Sequence, residues 1–470
     1  MRNSLSGSTE EHKSFLQELD KYLLEEALEW ARKTYKAILE RIDKILAEKR
    51  RRELRIGHLR EVWYQTCVGA VRVKRRQYIA GKKKYRYLLD EIIGLGKHQH
   101  VTRGVRELAL ELATEMTYRK SAEILRKTSA IDLAHQTIWR MVGKAADPYL
   151  RKAEQEIRWF LETGEIPDSE GKRARRLLVE ADGVFLSLQR EKEKKAEVKL
   201  GIAYEGWEKV GKDRYKTTNK TFFADVADRD FFWAGMSLKL QRKYDLGAIG
   251  DTIVGGDGAA WVKEGASYIN GRFQLDRYHL NRELCAALGR DNETRSKIRL
   301  ACDNGNVKLG LQLMTEAMKD AKGKQSQRMT KAYHYLQNNA AGLADYRNTL
   351  GTEAKDLRRT GAIEGNVDKL IVRRMKNQGM SWTVKGIRRL LCVRFLVLEG
   401  RLKDWLAREN RQDSNLLISP KKLHRIVNQL SNQEPDAWLE GRLPALYGPH
   451  ASRPWVKSLK VRSEITNIWK

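Results

Sequence analysis

The hydrophobic positions along the chain alternate between helical and strand-like periods. Over about residues 10–56, apolar residues recur every three or four positions, which predicts one long helix with an apolar face. That face consists of Leu16, Leu19, Leu23, Ala27, Trp30, Ile38, Ile42 and Ile45. It either packs on the chain itself or pairs with a second copy. The basic stretch KRRRELR (49–55) at its end suits binding to DNA phosphates.

The segment from residue 66 to residue 95 has the pattern of a basic hairpin. Two runs of strand-forming residues, 68–73 and 85–89, flank Ala80 and Gly81, which predicts two paired strands. Eight of the 17 residues from 71 to 87 are basic, namely Arg72, Lys74, Arg75, Arg76, Lys82, Lys83, Lys84 and Arg86. Tyrosines interleave with them and no acid interrupts them. This favours a surface that follows a nucleic-acid backbone over a merely solvated charged face.

Residues 108–146 have the pattern of a helix-turn-helix unit. A helix within 108–129 is followed by a turn and by a second helix that begins near His135, and Asp147-Pro148 is expected to close the unit. Such units place the start of the second helix in the major groove of DNA. The residues at those positions are Gln136, Thr137 and Arg140. An ordinary packed helix pair is the alternative, and the basic neighbourhood favours DNA.

Beyond a basic linker (171–176) the pattern changes to strands. Five runs of apolar, β-branched or aromatic residues follow, at 177–189, 199–210, 221–236, 248–262 and 271–280. The first three predict strands of a meander, and the last two predict strands that alternate with helices. Residues 281–350 lose this pattern and are expected to be helical, and 361–382 predicts a further helix.

The charge composition of the chain indicates what kind of molecule it binds. Lys and Arg number 91 against 61 Asp and Glu, a net charge of +30, which favours nucleic acid as the partner. No apolar run is long enough for a membrane span, and the N-terminus has no signal core. The four cysteines form no CxxC pair, which favours a reducing cytoplasm over a disulfide framework or a zinc ribbon.

Three carboxylates indicate chemistry. Asp182 lies within an apolar strand, Asp257 lies between glycines in VGGDGAAWV (254–262), and Glu364 begins a helix at the edge of its apolar face. A simple Asp-Gly turn would explain Asp257 alone. Three converging carboxylates would repel one another, however, and divalent cations would resolve that repulsion. Two Mg²⁺ (or Mn²⁺) ions held by this triad would serve an in-line phosphoryl transfer.

Two neighbouring acids compete with the triad. Glu180 shares strand parity with Asp182 and is expected on the same face of the sheet. Asp368 lies one turn beyond Glu364 and is the main rival for the third acid. Glu364 is preferred because it lies nearest to the glycines Gly361 and Gly365, which allow close backbone approach.

Together these segments resemble the Lre-type bacterial insertion-sequence transposases. This DDE family has a ribonuclease H-like fold, is related to the Mutator-like group and was once filed as an uncharacterised protein family. The resemblance covers most of the chain and is carried by YLLDEIIGL, the helix-turn-helix segment, VEADGVFLSLQ, VGGDGAAWV, FQLDRYHL and GAIEGNVDKLIVRRMKNQGMSW. It implies Asp182 and Asp257 as the catalytic aspartates and Glu364 as the final acid, with a helical insertion at about 281–350.

The motif LDRYH (275–279) belongs to the same resemblance. Asp276 and His279 are similar to the acid or cysteine, two spacers and histidine that follow the second aspartate in Mutator-like relatives. They would support the active site or contact the scissile strand. The alternative is an aspartate that caps the next helix, followed by a structural histidine. A zinc site is not expected, because no further His or Cys lies at ligand spacing.

These inferences combine into a multidomain α+β protein. The predicted parts are a long helix and basic hairpin in 1–100, a helix-turn-helix domain in 101–150, a ribonuclease H-like mixed α/β catalytic domain in 171–400, and a basic, helical C-terminal extension in 401–470. The expected function is that of a cytoplasmic, nucleoid-associated transposase. It would bind the terminal inverted repeats of its element and carry out metal-dependent cleavage and strand transfer into target DNA.

Two ends must be held together during such a reaction, so a homo-oligomer on DNA is expected. Two alternatives remain open. One is a nuclease on the same fold that cuts DNA without joining it, and the other is a non-catalytic, domesticated DNA-binding protein.

Overall fold

A computed structural model describes most of the chain. The described residues are 6–80, 85–96, 98–166, 168–290, 292–350, 357–377 and 379–409, with Lys421, His424, Arg425 and Asn428 beyond them. Lys82, Lys83 and Lys84 of the predicted basic surface, and nearly all of the predicted C-terminal extension, lie outside the described residues. The chain divides into two compact units, one of residues 1–113, 118–139 and 402–470 and one of residues 114–117 and 140–401.

The first unit begins with a long helix and a three-stranded antiparallel sheet. Its elements are α1 (Ser6–Lys49), β1 (Arg55–Thr66), β2 (Gly69–Ile79), β3 (Tyr85–Arg86) and α2 (Leu88–Ile92), with the strands in the order β1-β2-β3. Only the last turns of α1 contribute to the core, where Ile42 and Leu46 pack with Val62 and Tyr64 of β1 and Val73 of β2. The amino-terminal half of the predicted apolar face remains open, since Leu23 and Trp30 are exposed.

The predicted hairpin is confirmed only in part. Tyr78 pairs with Arg86 across β2 and β3, as expected for strands on either side of residues 80–81. The larger hairpin joins β2 to β1, a strand that the periodicity did not predict, and Leu89 lies in α2 and not in a strand. The first seven residues of β1 are exposed or half-exposed, so its sequence lacks the apolar alternation by which strands are recognised.

Three helices follow, α3 (Arg103–Glu115), α4 (Tyr118–Ser129) and α5 (His135–Thr163). The start of α5 at His135 confirms the predicted second helix. The prediction that Asp147-Pro148 ends it is wrong, because Pro148 lies inside α5. A proline costs one backbone hydrogen bond, but tertiary contacts offset this loss. Arg389 donates to both carboxylate oxygens of Asp147 at 2.7 and 2.5 Å, and Ile157 is buried against α6 residues described below.

The second unit is built on a mixed five-stranded sheet. Its strands are β4 (Arg176–Ser187), β5 (Lys195–Tyr204), β6 (Gly206–Lys209), β7 (Tyr215–Thr218), β8 (Thr221–Asp225), β9 (Asp251–Gly256) and β10 (Arg272–Leu275). The order in the sheet is β10-β9-β4-β5-β8, and β6 pairs with β7 in a separate ribbon. The consecutive strands β4, β5 and β8 are antiparallel, as predicted for a meander, whereas β9 and β10 run parallel to β4.

Helices cover both faces of this sheet, and a further group of helices forms a core of its own. The helices of the unit are α6 (Arg229–Gln241), α7 (Ala260–Tyr268), α8 (Arg277–Leu288), α9 (Glu293–Asp303), α10 (Val307–Met318), α11 (Gly323–Asn338), α12 (Tyr346–Leu350), α13 (Ala362–Val367), a π-helix (Asp368–Lys376) and α14 (Val384–Leu398); α15 (Leu402–Glu409) belongs to the first unit. Alternation along β4 separates the two faces. Val179 packs on α6 through Trp233, while Leu178 lies in the core that contains Ile363 of α13 and Leu390 of α14.

One further prediction of secondary structure is confirmed, and another is wrong in part. The helical character of 281–350 is confirmed by α8 to α12. The second half of the apolar run 221–236 is not a strand but the start of α6, where the Asp228 side chain caps the helix by accepting from the Phe231 N–H at 2.8 Å. A short aromatic run has no periodicity that separates a buried strand from a buried helix.

Among the described residues, every helix is too short or too polar to cross a lipid bilayer.

Candidate active site

The register of the sheet places three aspartates at one level. Ala181 of β4 pairs with Gly256 of β9, which pairs in turn with Leu275 of β10. The next residues along the chain are Asp182, Asp257 and Asp276. β9 and β10 end at this level while β4 continues to Ser187, and the charges of Asp257 and Asp276 act on Asp182, so the three carboxylates lie in the same region. Asp182 and Asp257 of the predicted triad therefore lie on neighbouring strands.

The glycines around Asp257 allow this close arrangement. A Cβ on Gly256 would lie 2.7 Å from the Ala181 carbonyl oxygen and 2.4 Å from a Val262 methyl carbon. Gly258 has a φ of +89°, a conformation that favours glycine. Asp257 itself accepts a hydrogen bond from the Ala259 N–H at 2.9 Å. The turn interpretation of this motif is thus correct, and the same turn presents a carboxylate beside β4.

Glu180 fixes the start of α13 over the sheet. Its side chain is buried on the same face as Asp182, and one carboxylate oxygen accepts from the Gly361 N–H at 2.9 Å and from the Ile363 N–H at 3.0 Å. The Tyr204 hydroxyl donates to the other oxygen. Burial raises the pKa of Glu180, and these donors lower it. This residue is therefore a positioning residue for the helix that carries Glu364.

Glu364 lies next to the LDRYH motif. Its Oε1 is 2.9 Å from Nε2 of His279, and one ligand atom each from Asp276, His279 and Glu364 lie within 4.8 Å of one another. Asp276 also caps α8 by accepting from the Tyr278 N–H at 2.7 Å. The capping interpretation of LDRYH is confirmed for Asp276, and His279 contacts Glu364, while the supporting role of both residues in an active site stays a prediction.

The carboxylates of this site act on one another electrostatically. Burial, together with the charges of Glu364, Asp257 and Asp276, raises the pKa of Asp182 to about 7 against the lowering effect of the Gly183 N–H. Burial likewise raises the pKa of Asp276 to about 6. Buried carboxylates that repel one another are stabilised by a cation. The donor set, rich in carboxylate oxygen with one buried oxygen of Asp276 left without a partner among the described residues, fits a divalent metal ion.

The rival third acid is engaged elsewhere. Asp368 accepts from Arg373 at 2.7 Å at the beginning of the π-helix, and both side chains are largely exposed. Glu364 instead has a side chain that is 38% exposed and faces a buried histidine. The structure therefore places Glu364, and not Asp368, with the acids of the sheet.

Two of the predicted DNA-binding arginines are occupied inside the first unit. Arg75 is buried, forms an ion pair with Asp90 and stacks on the ring of Tyr87 at 3.8 Å from its centroid. Arg76 donates to Asp43 of α1 at 2.6 Å. The buried Arg75 therefore does not project from the surface as the pattern suggested, whereas the Arg76 side chain pairs with Asp43 and stays 28% exposed.

Other predicted DNA-binding residues do lie on the surface. Arg72 and Lys74 are exposed on β2, and the Arg72 guanidinium lies 5.5 Å from the centroid of the exposed Trp63 ring and 2.5 Å from Glu61. At the start of α5, Gln136 and Arg140 are exposed and Thr137 is half-buried. The helix start is thus open to a ligand, and its chemistry is that of a polar and cationic surface.

Comparison with known proteins gives one family. The sequence profile of the uncharacterised protein family UPF0236 matches residues 10–412. A UPF0236 protein of Caldanaerobacter subterraneus subsp. tengcongensis, whose name joins eleven locus designations, is 26% identical over 409 residues, which is 85% of this chain and 82% of that protein. The UPF0236 protein in the vanSb 3' region of Streptococcus gallolyticus is 27% identical over 332 residues, 68% of each chain.

Proposed function

The chain belongs to the uncharacterised protein family UPF0236, and from its acidic site we propose that it is a DDE-type transposase of a bacterial insertion sequence. The observation that carries the proposal is that Asp182 within β4, Asp257 directly after β9 and Asp276 directly after β10 lie at one level of the sheet, with Glu364 beside Asp276 and His279. Carboxylates that lie close together and partly out of water repel one another, so their arrangement supports binding of a cation.

The sheet supports a ribonuclease H-like fold for the catalytic domain. Three consecutive antiparallel strands come first, and two strands parallel to the first of them follow on its other side. This is the order and direction expected of a ribonuclease H-like domain. The acids of the proposed triad lie where that fold would place them, on the central strand, on its parallel neighbour and on a helix after the insertion.

The proposed chemistry assigns a task to each group. Asp182, Asp257 and Glu364 would hold two Mg²⁺ or Mn²⁺ ions, which supply a nucleophilic oxygen and stabilise the leaving oxygen of an in-line phosphoryl transfer. Glu180 orients α13 through its backbone N–H groups, and His279 holds the Glu364 carboxylate at 2.9 Å. These fixed contacts reduce the reorganisation that the site needs when DNA arrives.

Recognition of DNA is assigned to the amino-terminal part of the chain. The exposed Arg72 and Lys74 would bind phosphates, and Gln136, Thr137 and Arg140 at the start of α5 would contact the ends of the element. Lys82, Lys83 and Lys84 remain part of this proposal on their sequence alone. The net charge of +30 supports a partner made of double-stranded DNA.

The relative from Caldanaerobacter subterraneus supports a link to mobile DNA. Its name joins eleven locus designations of one organism. Repeated occurrence of one protein within a genome is expected of an element that moves or copies itself. For this chain we therefore propose the terminal repeats of its own element and target DNA as partners, a homo-oligomer that pairs two ends, and a cytoplasmic location at the nucleoid.

A supercoiled plasmid with labelled element ends tests this function against its alternatives. The DNA flanking the gene would supply the ends, and the full chain would be incubated with it and Mg²⁺. A transposase produces cuts at the element boundary and joins the labelled ends to plasmid DNA. Cuts without joined products would instead identify a nuclease, and binding without cuts would identify a non-catalytic DNA-binding protein.

A further inference from the structure

The ligand group beside Glu364 contains a nitrogen donor. We propose that Asp276, His279 and Glu364 form a binding site for one first-row transition-metal ion, such as Mn²⁺, Fe²⁺ or Zn²⁺. The inference rests on the proposed function in one respect, since it shares Glu364 with the proposed magnesium site. It goes beyond that function by assigning Asp276 and His279 as metal ligands and by giving the site a preference among ions.

The geometry is close to that of a bound ion. Metal–ligand bonds of about 2.0–2.2 Å place neighbouring ligand atoms about 3–4.4 Å apart. His279 Nε2 and Glu364 Oε1 are already 2.9 Å apart, and all three ligand atoms lie within 4.8 Å of one another. Small side-chain movements would therefore close the group around one ion, and no backbone change is required.

Two buried polar atoms of the group lack a use inside the protein. Asp276 is 1% exposed and His279 is 6% exposed. One Asp276 oxygen caps α8, but Oδ2 has no hydrogen-bond partner among the described residues, and neither has Nδ1 of His279. Buried polar atoms are nearly always satisfied, so the unpartnered Oδ2 of Asp276 indicates a missing ligand. His279 would bind that cation through Nε2, which faces Glu364, and Nδ1 lies on the other side of the ring.

The imidazole ring of His279 determines which cations the proposed site prefers. Mg²⁺ prefers oxygen ligands and keeps several waters, whereas imidazole is a common ligand of zinc, iron and their neighbours. Sequence spacing gave no zinc site, because only one histidine of LDRYH was in view. The third donor comes from Glu364, far along the chain, and a set of three protein ligands leaves positions open for water or substrate, as in catalytic metal sites.

The competing explanation is that His279 only positions Glu364 by a hydrogen bond. The variant His279→Gln separates the two explanations, since its amide can donate to Glu364 while it is a poor metal ligand. Asp276→Asn is a second variant, because Asn retains a capping oxygen for α8 and loses the charged ligand. Asp368→Asn is the matched control, because it changes an exposed acid that pairs with Arg373 outside the proposed group.

The test is metal binding by the full chain, stripped of metal and without DNA. Mn²⁺ and Co²⁺ would be titrated separately, with Mg²⁺ as the oxygen-preferring comparison. Bound Mn²⁺ is examined by pulsed electron paramagnetic resonance for coupling to imidazole nitrogen, and bound Co²⁺ by its visible absorption. Circular dichroism confirms that each variant is folded.

We expect the wild type and Asp368→Asn to bind Mn²⁺ with nitrogen coupling. His279→Gln and Asp276→Asn should lose at least about tenfold in Co²⁺ affinity, and the coupling should vanish in His279→Gln. Bound Mn²⁺ without nitrogen coupling in the wild type, or equal Co²⁺ affinity in His279→Gln, would overturn the proposal and leave His279 as a positioning residue. DNA cleavage supported by Mg²⁺ in that case would keep the proposed function intact, so the two failures are distinguishable.

Discussion

Single residues determine how the acidic site responds to pH, and Asp182 has the clearest effect. Burial and three neighbouring carboxylates raise its pKa from 3.8 to about 7. A raised folded-state pKa contributes stability that is complete below the unfolded value and is lost as the pH rises through the folded value. In the absence of metal, the free energy of unfolding should therefore fall as the pH rises from about 4 to about 7.

Asp182→Asn should remove part of this fall, because asparagine does not titrate. Urea denaturation in the presence of EDTA at several pH values measures the difference between the two proteins. Addition of Mn²⁺ should reverse the trend in the wild type, since an ion binds the deprotonated carboxylate. Identical pH dependence of the two metal-free proteins would show that Asp182 does not titrate in this range.

Glu180 gives a second prediction for a single side chain. Its removal in Glu180→Ala leaves the buried N–H groups of Gly361 and Ile363 without an acceptor, which should destabilise the protein by about 2–4 kcal/mol. Glu180→Gln retains an acceptor and is the control, with stability near that of the wild type. Urea midpoints measure both variants. A stable Glu180→Ala protein would show that Glu180 does not anchor α13.

Sequence reasoning could find part of this site and not the rest. The sequence indicates Asp182, Asp257 and Glu364 as candidate metal ligands. Asp182 lies within an apolar strand, Asp257 between glycines, and Glu364 at the edge of an apolar helix face. The anchoring contacts of Glu180 were beyond reach, because its acceptor oxygens meet N–H groups of residues 361 and 363, which belong to a distant segment. The contact of His279 with Glu364 was hidden for the same reason.

At the scale of elements, the approach of β9 to β4 depends on Gly256. A methyl group there would clash with the Ala181 carbonyl oxygen and with Val262, so Gly256→Ala should cost about 2–3 kcal/mol of stability. The matched control is Gly365→Ala within α13, where a Cβ meets nothing within 4 Å and helix propensity should add about 0.5–1 kcal/mol. Thermal or urea unfolding compares the two. Equal stabilities would contradict the packing described for β9.

The elements also show why periodicity predicts some of them and misses others. The long regular helices of 281–350 and the meander of β4, β5 and β8 repeat one pattern over many residues, which single-sequence reasoning detects. Periodicity does not predict β1 because its first half is exposed, and its apolar residues Ile56 and Leu59 are three positions apart and do not alternate. The continuation of α5 through Pro148 was missed because the contact of Asp147 with Arg389 overrides the local signal of the proline.

At the scale of the whole molecule, the charge of +30 predicts binding to DNA with a steep salt dependence. The sequence alone does not show which basic residues are available to bind DNA, because the ion pairs of Arg75 with Asp90 and of Arg76 with Asp43 depend on the fold. The double variant of Arg72→Ala and Lys74→Ala should weaken binding to all DNA sequences and reduce the salt slope by about 2.

Fluorescence anisotropy of the full chain over a range of salt concentrations measures that slope. The control is Lys297→Ala, a surface lysine of the helical insertion that pairs with Glu293. Its salt slope should equal that of the wild type. A double variant with an unchanged slope would remove the β2 surface from the proposed DNA-binding face.

Metal-dependent cleavage at the end of the element tests the central claim most directly. Single-turnover cleavage of DNA that carries one element end would be measured with Mg²⁺ for the wild type and for Asp182→Asn, Asp257→Asn, Glu364→Gln and Asp368→Asn. The first three variants should bind DNA normally and lose at least about a hundredfold in cleavage rate, because each removes a ligand of the proposed ions. Asp368→Asn, which changes an exposed acid paired with Arg373, should cleave like the wild type. Cleavage at the wild-type rate by any of the three triad variants would contradict the assigned active site.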